Sequence, residues 1–166
     1  IGYELRADIG RNTRGVPIAN IVPVWDTEWI SAIVAIRKKH YETYEYLVLG
    51  TVKGRVKKIK LQDVEHIRPS GLIIMNLRDD ELISVKLANE ADDIIFVSEK
   101  GMAIRFSVDD LPARRRAAGG VKGMSLRPGD KVVSMDVGND SSKLLTISKL
   151  GRGKVNPLSE YRRQGR

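Results

Sequence analysis

Short apolar runs that end in a glycine turn set among cations recur along the chain: Tyr46-Leu47-Val48-Leu49 before Gly54, Asp93-Ile94-Ile95-Phe96-Val97 before Gly101, and Lys143-Leu144-Leu145-Thr146-Ile147 before Gly151. Each reads as strand, turn, strand. The three glycines lie 47 and 50 residues apart, and the columns behind them agree without gaps: Lys58, Arg105 and Val155, then Leu61, Val108 and Leu158, then Asp63, Asp110 and Glu160. A further glycine opens another strand at Gly71 and Gly120, with an earlier copy at Gly15, and Met75 and Met124 share a column. A last strand carries serine at Ser31, Ser84 and Ser134. One unit is therefore four short strands in about fifty residues, the period of a propeller blade. The expected fold is all-β: one repeat domain over residues 1–166, with repeat boundaries near 52–53, 99–100 and 149–150.

The same pattern sets expectations segment by segment. Residues 16–23 and 29–36 read as apolar strands, with Trp25 and Trp29 anchoring the packing between blades. Residues 37–45 interleave basic, acidic and aromatic residues and read as a projecting hairpin tip. The stretch Val52-Lys53-Gly54-Arg55-Val56-Lys57-Lys58-Ile59-Lys60 has no purely apolar face, which suggests an outer or edge strand guarded by lysines. His66-Ile67-Arg68-Pro69-Ser70-Gly71 and Arg114-Arg115-Arg116-Ala117-Ala118-Gly119-Gly120 occupy the same place in successive units. The second is expected to be a flexible cationic loop. Its fixed charges and exposed amides suit phosphate oxygens.

Charge gives this pattern a direction. Across 166 residues, 29 Lys and Arg stand against 21 Asp and Glu, a net charge of +8. A polyanionic partner is the natural reading, with a merely soluble surface as the alternative. The acids gather in other turns, at Asp79-Asp80-Glu81, Glu90-Ala91-Asp92-Asp93 and 136–140, so the signs are segregated turn by turn. The cations placed for phosphate contact are Arg11, Arg14, Lys53, Arg55, Lys57, Lys58, Lys60, Arg68, Lys100, Arg105, Arg114, Arg115, Arg116, Lys122, Arg152, Lys154, Arg162, Arg163 and Arg166.

Other chemistry is excluded more readily. Without cysteine there is no disulfide, thiol nucleophile or cysteine metal site, and two histidines cannot hold zinc alone. No phosphate-binding loop, nucleophile elbow or zinc-protease motif is present, and the adjacent acids Asp79-Asp80 and Asp109-Asp110 would face opposite ways on a strand. The expectation is a cytoplasmic domain with no active site, no metal, no membrane span, and more blades in a longer parent.

The succession of motifs resembles, over essentially the whole chain, the C-terminal domain family of the DNA gyrase A protein of bacteria. Tyr3-Glu4-Leu5 followed by 11–20 resembles the end of that family's second blade. Residues 71–77 with Asp80-Glu81-Leu82-Ile83, 101–106, Gly120-Val121-Lys122-Gly123-Met124 with 129–134, and Gly151-Arg152-Gly153-Lys154 with Ser159-Glu160-Tyr161 resemble its third to fifth blades. Gln164-Gly165-Arg166 resembles the opening of the gyrase box pattern Q-[KR]-R-G-G-K-G, with Gly165 in place of a basic residue. The resemblance implies a six-bladed beta-pinwheel of four-stranded blades, of which three to four are present, whose blades exchange strands. It implies double-stranded DNA wrapped without sequence preference around a basic rim, in support of ATP-dependent negative supercoiling at the nucleoid. The implied partners are the gyrase B protein together with the rest of the gyrase A protein. ATP, magnesium and the catalytic tyrosine belong elsewhere in the holoenzyme, and this domain has no cofactor. Two alternatives stay open: the related C-terminal domain of topoisomerase IV, and a propeller-like protein-interaction scaffold.

Overall fold

Among the described residues nine strands follow one another: β1 (Tyr46–Thr51), β2 (Arg55–Lys60), β3 (Leu82–Ala88), β4 (Asp93–Ser98), β5 (Ala103–Ser107), β6 (Val121–Lys122), β7 (Val132–Gly138), β8 (Lys143–Ile147) and β9 (Gly153–Pro157). The structure, a computed structural model, describes residues 17–20, 22, 24, 27–67 and 71–165. Each apolar run seen in the sequence is the first strand of an antiparallel hairpin: β1 with β2, β4 with β5, and β8 with β9. The aligned glycines sit at the hairpin turns, and there they are needed. Gly54, Gly101 and Gly151 have φ of +76°, +78° and +76°, a left-handed backbone that a Cβ penalises.

A third strand returns to the front of each of the first two hairpins. β3 pairs with β1, placing Ser84 opposite Gly50, and β7 pairs with β4, placing Ser134 opposite Val97. Both ladders slip at the same point, between Gly50 and Thr51 and between Val97 and Ser98. The fourth strand comes from the following unit. β6 pairs with Arg55 and Val56 of β2, giving the order β3-β1-β2-β6. Parallel bridges at Lys58–Ala113 and Arg105–Arg163 repeat this strand exchange one unit apart.

Packing between successive units explains why the first strands are apolar on both faces. Leu47 and Leu49 of β1 pack with Ile59, Leu61, Val64 and Met75. Val48, on the opposite face, joins Val56, Phe96, Phe106, Met124, Val132 and Met135 in a core shared between successive units. Met75 and Met124, one column in the sequence, thus fill successive cores. Gly50 lacks a Cβ because the Met135 sulfur and the Phe96 ring occupy that space.

Four expectations are corrected. β2 is not an edge strand, because β6 and the segment at 113–114 cover its outer side. Ile18–Asn20, within the expected strand 16–23, form a single 3-10 turn, where Asn20 N–H bonds to Pro17 O. Residues 28–36 belong to no ladder among the described residues, and Trp29 is 71 % exposed rather than packed between blades. Trp25 lies outside the described residues. The expected tip at 37–45 holds one helical turn, α1 (His40–Thr43), and Tyr41 and Tyr44 pack against the core instead of projecting.

Candidate nucleic-acid interface

Three of the cations assigned to phosphate contact are buried. Lys57 is 1 % exposed, and its ammonium donates to the carbonyls of Ile74 (2.7 Å), Arg116 (2.5 Å) and Ala118 (2.8 Å). Burial and the nearby Arg114 lower its pKa to about 8. Lys58 lies over the Tyr46 ring, 4.5 Å from the centroid, with Glu90 at 3.8 Å. Arg105 bonds to Asp93 and Asp140 and donates to the carbonyls of Leu158 (2.8 Å) and Tyr161 (3.0 Å). Burial alone would lower its pKa, but the hydrogen bonds to the two carboxylates raise it. Lys57, Lys58 and Arg105 are therefore structural cations with no path to a phosphate, and the expectation for them is corrected.

Lys58 and Arg105 are one column serving one purpose by different means. Tyr46 and Glu90 in the first unit stand where Asp93 and Asp140 stand in the second, so a cation over an aromatic ring is exchanged for a buried ion pair. Arg163 completes the second version, its Nε 2.8 Å from Asp93 Oδ1, while its side chain stays half exposed.

The other assigned cations that the structure describes are at the surface. Arg114, Arg115 and Arg116, with Lys60, Arg152, Lys154 and Arg162, are exposed, and among the described residues none of the seven forms an ion pair. Lys53 is exposed but paired with Asp79, Arg55 donates to Gly120 O (3.1 Å), and Lys100 to Pro128 O (3.0 Å). Lys122 is exposed as well. Arg11, Arg14, Arg68 and Arg166 lie outside the described residues. Lys53, Arg55 and Lys122 come together along an open groove of about 680 Å³ between the first hairpin and the segment 122–131. Lys131 stands on the same groove. The sequence pattern missed it because it follows Asp130 at a turn with no run of cations.

Asp130 and its counterpart Asp80 have a structural purpose which the segregation of signs also obscured. Asp80 accepts hydrogen bonds from Thr51 Oγ1 (2.6 Å) and from the N–H groups of Lys53 (3.0 Å) and Glu81 (2.8 Å). Asp130 does the same with Ser98 Oγ (2.7 Å), Lys100 N–H (3.1 Å) and Lys131 N–H (2.9 Å). Desolvation works against the Asp130 carboxylate, but these hydrogen bonds outweigh it and hold its pKa below 3.8. Each carboxylate thus ties a hairpin turn to the third strand and fixes the backbone that carries Lys53 or Lys100. The signal was present as paired columns, Thr51 with Ser98 and Asp80 with Asp130.

The loop with three arginines is not free either. Arg114 N–H bonds to Lys58 O (2.9 Å), Ala118 N–H to Arg115 O (3.0 Å), and Asn76 N–H to Ala118 O (3.4 Å), with the Lys57 ammonium beneath. Gly120 has no room for a side chain, since Met75 Cε and Val56 O stand 2.8 and 2.9 Å from a Cβ position. The flexible loop expected from the glycines is instead held against β2, its arginines outward. Among the described residues no three metal-ligating side chains cluster, and no helix is long and apolar enough to cross a membrane.

Comparison with known proteins agrees with this architecture. The family described as DNA gyrase C-terminal domain, beta-propeller, matches residues 2–23, 45–89, 92–139 and 142–166, one segment per repeat. The DNA gyrase A protein of Streptomyces coelicolor is 42 % identical over 172 residues, covering 99 % of this chain and 20 % of that protein. Its counterpart in Staphylococcus epidermidis is 39 % identical over 168 residues, covering 99 % and 19 %. The chain thus spans about a fifth of these relatives. A solved DNA gyrase A C-terminal domain superposes with a TM-score of 0.79 at 27 % identity, covering 93 % of this chain and 51 % of that one. A solved C-terminal domain of DNA topoisomerase IV also superposes at 0.79, with 30 % identity and coverages of 92 % and 47 %. With repeat period, strand exchange and family match in agreement, this chain belongs to the DNA gyrase C-terminal domain, beta-propeller family.

Proposed function

We propose that the chain binds duplex DNA through its phosphates and bends it along the cationic turns of successive units, as part of a gyrase holoenzyme that introduces negative supercoils. The observation that carries this reading is the set of seven exposed cations that form no ion pair among the described residues, distributed over three successive units of a gyrase-family domain. Bending a short site through 40–90° costs on the order of 1–6 kcal/mol, which cations spaced along the path can offset. Recognition is independent of sequence, because phosphate contacts position DNA without reading bases and no helix among the described residues is long enough for a groove. The proposed partners at the nucleoid are the gyrase B protein together with the remainder of the gyrase A protein, and ATP and magnesium would act in those parts.

The test is binding to linear duplex DNA of increasing length as a function of salt, with ligation of nicked circles to detect trapped writhe. Affinity rises with length and falls steeply with salt. Neutralising Arg114, Arg115 and Arg116 together lowers the log–log salt slope by about 2.7, at about 0.9 per phosphate. A flat salt response would overturn the reading. The likeness to a topoisomerase IV C-terminal domain supports a second reading, in which the chain is part of that enzyme; affinity that persists while ligation traps no writhe would keep DNA binding and remove the wrap.

A further inference from the structure

A lysine that is both buried and bonded to three backbone carbonyls holds a particular piece of chain in place. Two of the carbonyls under the Lys57 ammonium belong to Arg116 and Ala118, in the loop of three arginines, and the third belongs to Ile74, in the segment beside it. The loop is otherwise held by Arg114 N–H on Lys58 O, by a long Asn76 N–H bond to Ala118 O, by its own Ala118 N–H to Arg115 O turn, and at Gly120 by the closeness of β2. Arg114, Arg115 and Arg116 are exposed, so their guanidinium groups are placed by that backbone and by little else. We propose that Lys57 is a positioning residue for DNA binding: its ammonium fixes the backbone of residues 114–118 so that the three arginines meet consecutive phosphates with no cost of ordering on contact. The inference rests on the DNA-binding reading above and assigns to a buried residue part of the affinity otherwise credited to the surface.

The surroundings of Lys57 make this testable without mutation. Opposite it on β1 is Leu49, beyond it on its own strand is Ile59, the 71–77 segment offers the Ile74 carbonyl, and the charged group acting on it is Arg114. Burial and Arg114 both favour loss of the proton, which leaves near pH 8 instead of 10.5. The neutral amine has two N–H donors for three carbonyls, so one carbonyl is released and the loop loosens. Stability and binding should then diverge. The folded pKa is below the unfolded one, so between about pH 8 and 10.5 the unfolded chain binds more protons, and this group makes folding more favourable as pH rises. DNA affinity through the loop falls over the same range. A purely structural lysine would leave DNA affinity unchanged over this range.

The experiment measures DNA affinity of the full chain from pH 7 to 9.5 at 0.1 M salt, for wild type, Lys57→Met and the triple variant Arg114→Ala, Arg115→Ala, Arg116→Ala. Wild type weakens about tenfold across the range, the worth of one phosphate contact at that salt. Lys57→Met is weaker by about the same factor at pH 7 and nearly flat with pH, although every surface lysine remains. The triple variant is weaker and also flat, and adding Lys57→Met to it changes nothing further. If the triple variant weakens binding while wild type and Lys57→Met show parallel pH profiles, the inference is overturned and the DNA reading stands. If the triple variant binds as wild type does, the loop is not a phosphate site and both fall for this loop. Should Lys57→Met not fold, the profiles of wild type and the triple variant decide alone: a fall in wild type that is absent from the triple variant supports the proposal, and parallel profiles overturn it.

Discussion

Replacing Arg105 by Met is expected to destabilise the protein by about 3 kcal/mol, more than any single neutralisation of a surface cation. The side chains of Arg105 and Asp93 are 3 % and 0 % exposed. Removing the guanidinium strands a buried carboxylate, a situation that costs about 3–5 kcal/mol. Arg163 stays 2.8 Å from Asp93 Oδ1 and offsets part of this, which places the expectation at the low end. The carbonyls of Leu158 and Tyr161, one unit further on, lose their donor as well. Asp93→Leu should cost a similar amount, because it leaves Arg105 buried with only the exposed Asp140. The double variant leaves no buried charge, and its cost should fall within about 1–2 kcal/mol of wild type instead of reaching the sum of the singles. The contrast within the molecule is Lys58→Met, which removes a cation from the Tyr46 ring without stranding a buried charge, since Glu90 is half exposed, and should cost about 1 kcal/mol. Urea unfolding followed by far-ultraviolet circular dichroism at pH 7 measures all four, compared where the denaturant slopes agree. An Arg105→Met cost below about 1 kcal/mol, or additive singles, would refute the idea that the exchanged segment is joined through a buried ion pair.

Other outcomes follow from the same contacts. Alanine at Gly101 meets open space and should cost only the left-handed backbone penalty, about 1–2 kcal/mol, whereas alanine at Gly54 also sets a Cβ 2.8 Å from Met124 O and should cost clearly more in the same unfolding assay. The Asp140 carboxylate is held down by its hydrogen bond and charge interaction with Arg105, and Asp130 by its three donors. Because both folded pKa values lie below the unfolded 3.8, their stabilisation is complete above about pH 4 and is lost as pH falls through the folded values. Thermal melts from pH 5 to 2 should therefore show a shallower acid decline for Asp130→Asn than for wild type, from a lower starting stability.

How much of this is legible in the sequence depends on how local the cause is. The hairpins are legible because a left-handed turn at Gly54, Gly101 or Gly151 and the apolar run before it are decided within about ten residues, and repetition turns three weak signals into one strong one. The serine column of β3 and β7 and the shared methionines are legible for the same reason. Residues 31–36 show the limit, since their burial alternates as in a strand but such a segment becomes a strand only when a partner lies beside it. The candidate interface divides along the same line. That Arg114, Arg115 and Arg116 face outward agrees with composition alone, but Lys57, Lys58 and Arg105 look no different from them in the sequence.

What the sequence determined by itself is the repeat, its turns, its strand class and the excess of cations, because turn geometry and side-chain alternation act between near neighbours. The tertiary structure alone decided which cations remain available. β2 is covered by chain that lies about 55 to 67 residues further along, and that cover converts two of its lysines from surface charges into buried ones bound to carbonyls, an aromatic ring and a carboxylate. Arg105 of β5 is buried in the same way by the unit after it. Burial is a property of what packs alongside, and strand exchange brings that neighbour from the next repeat.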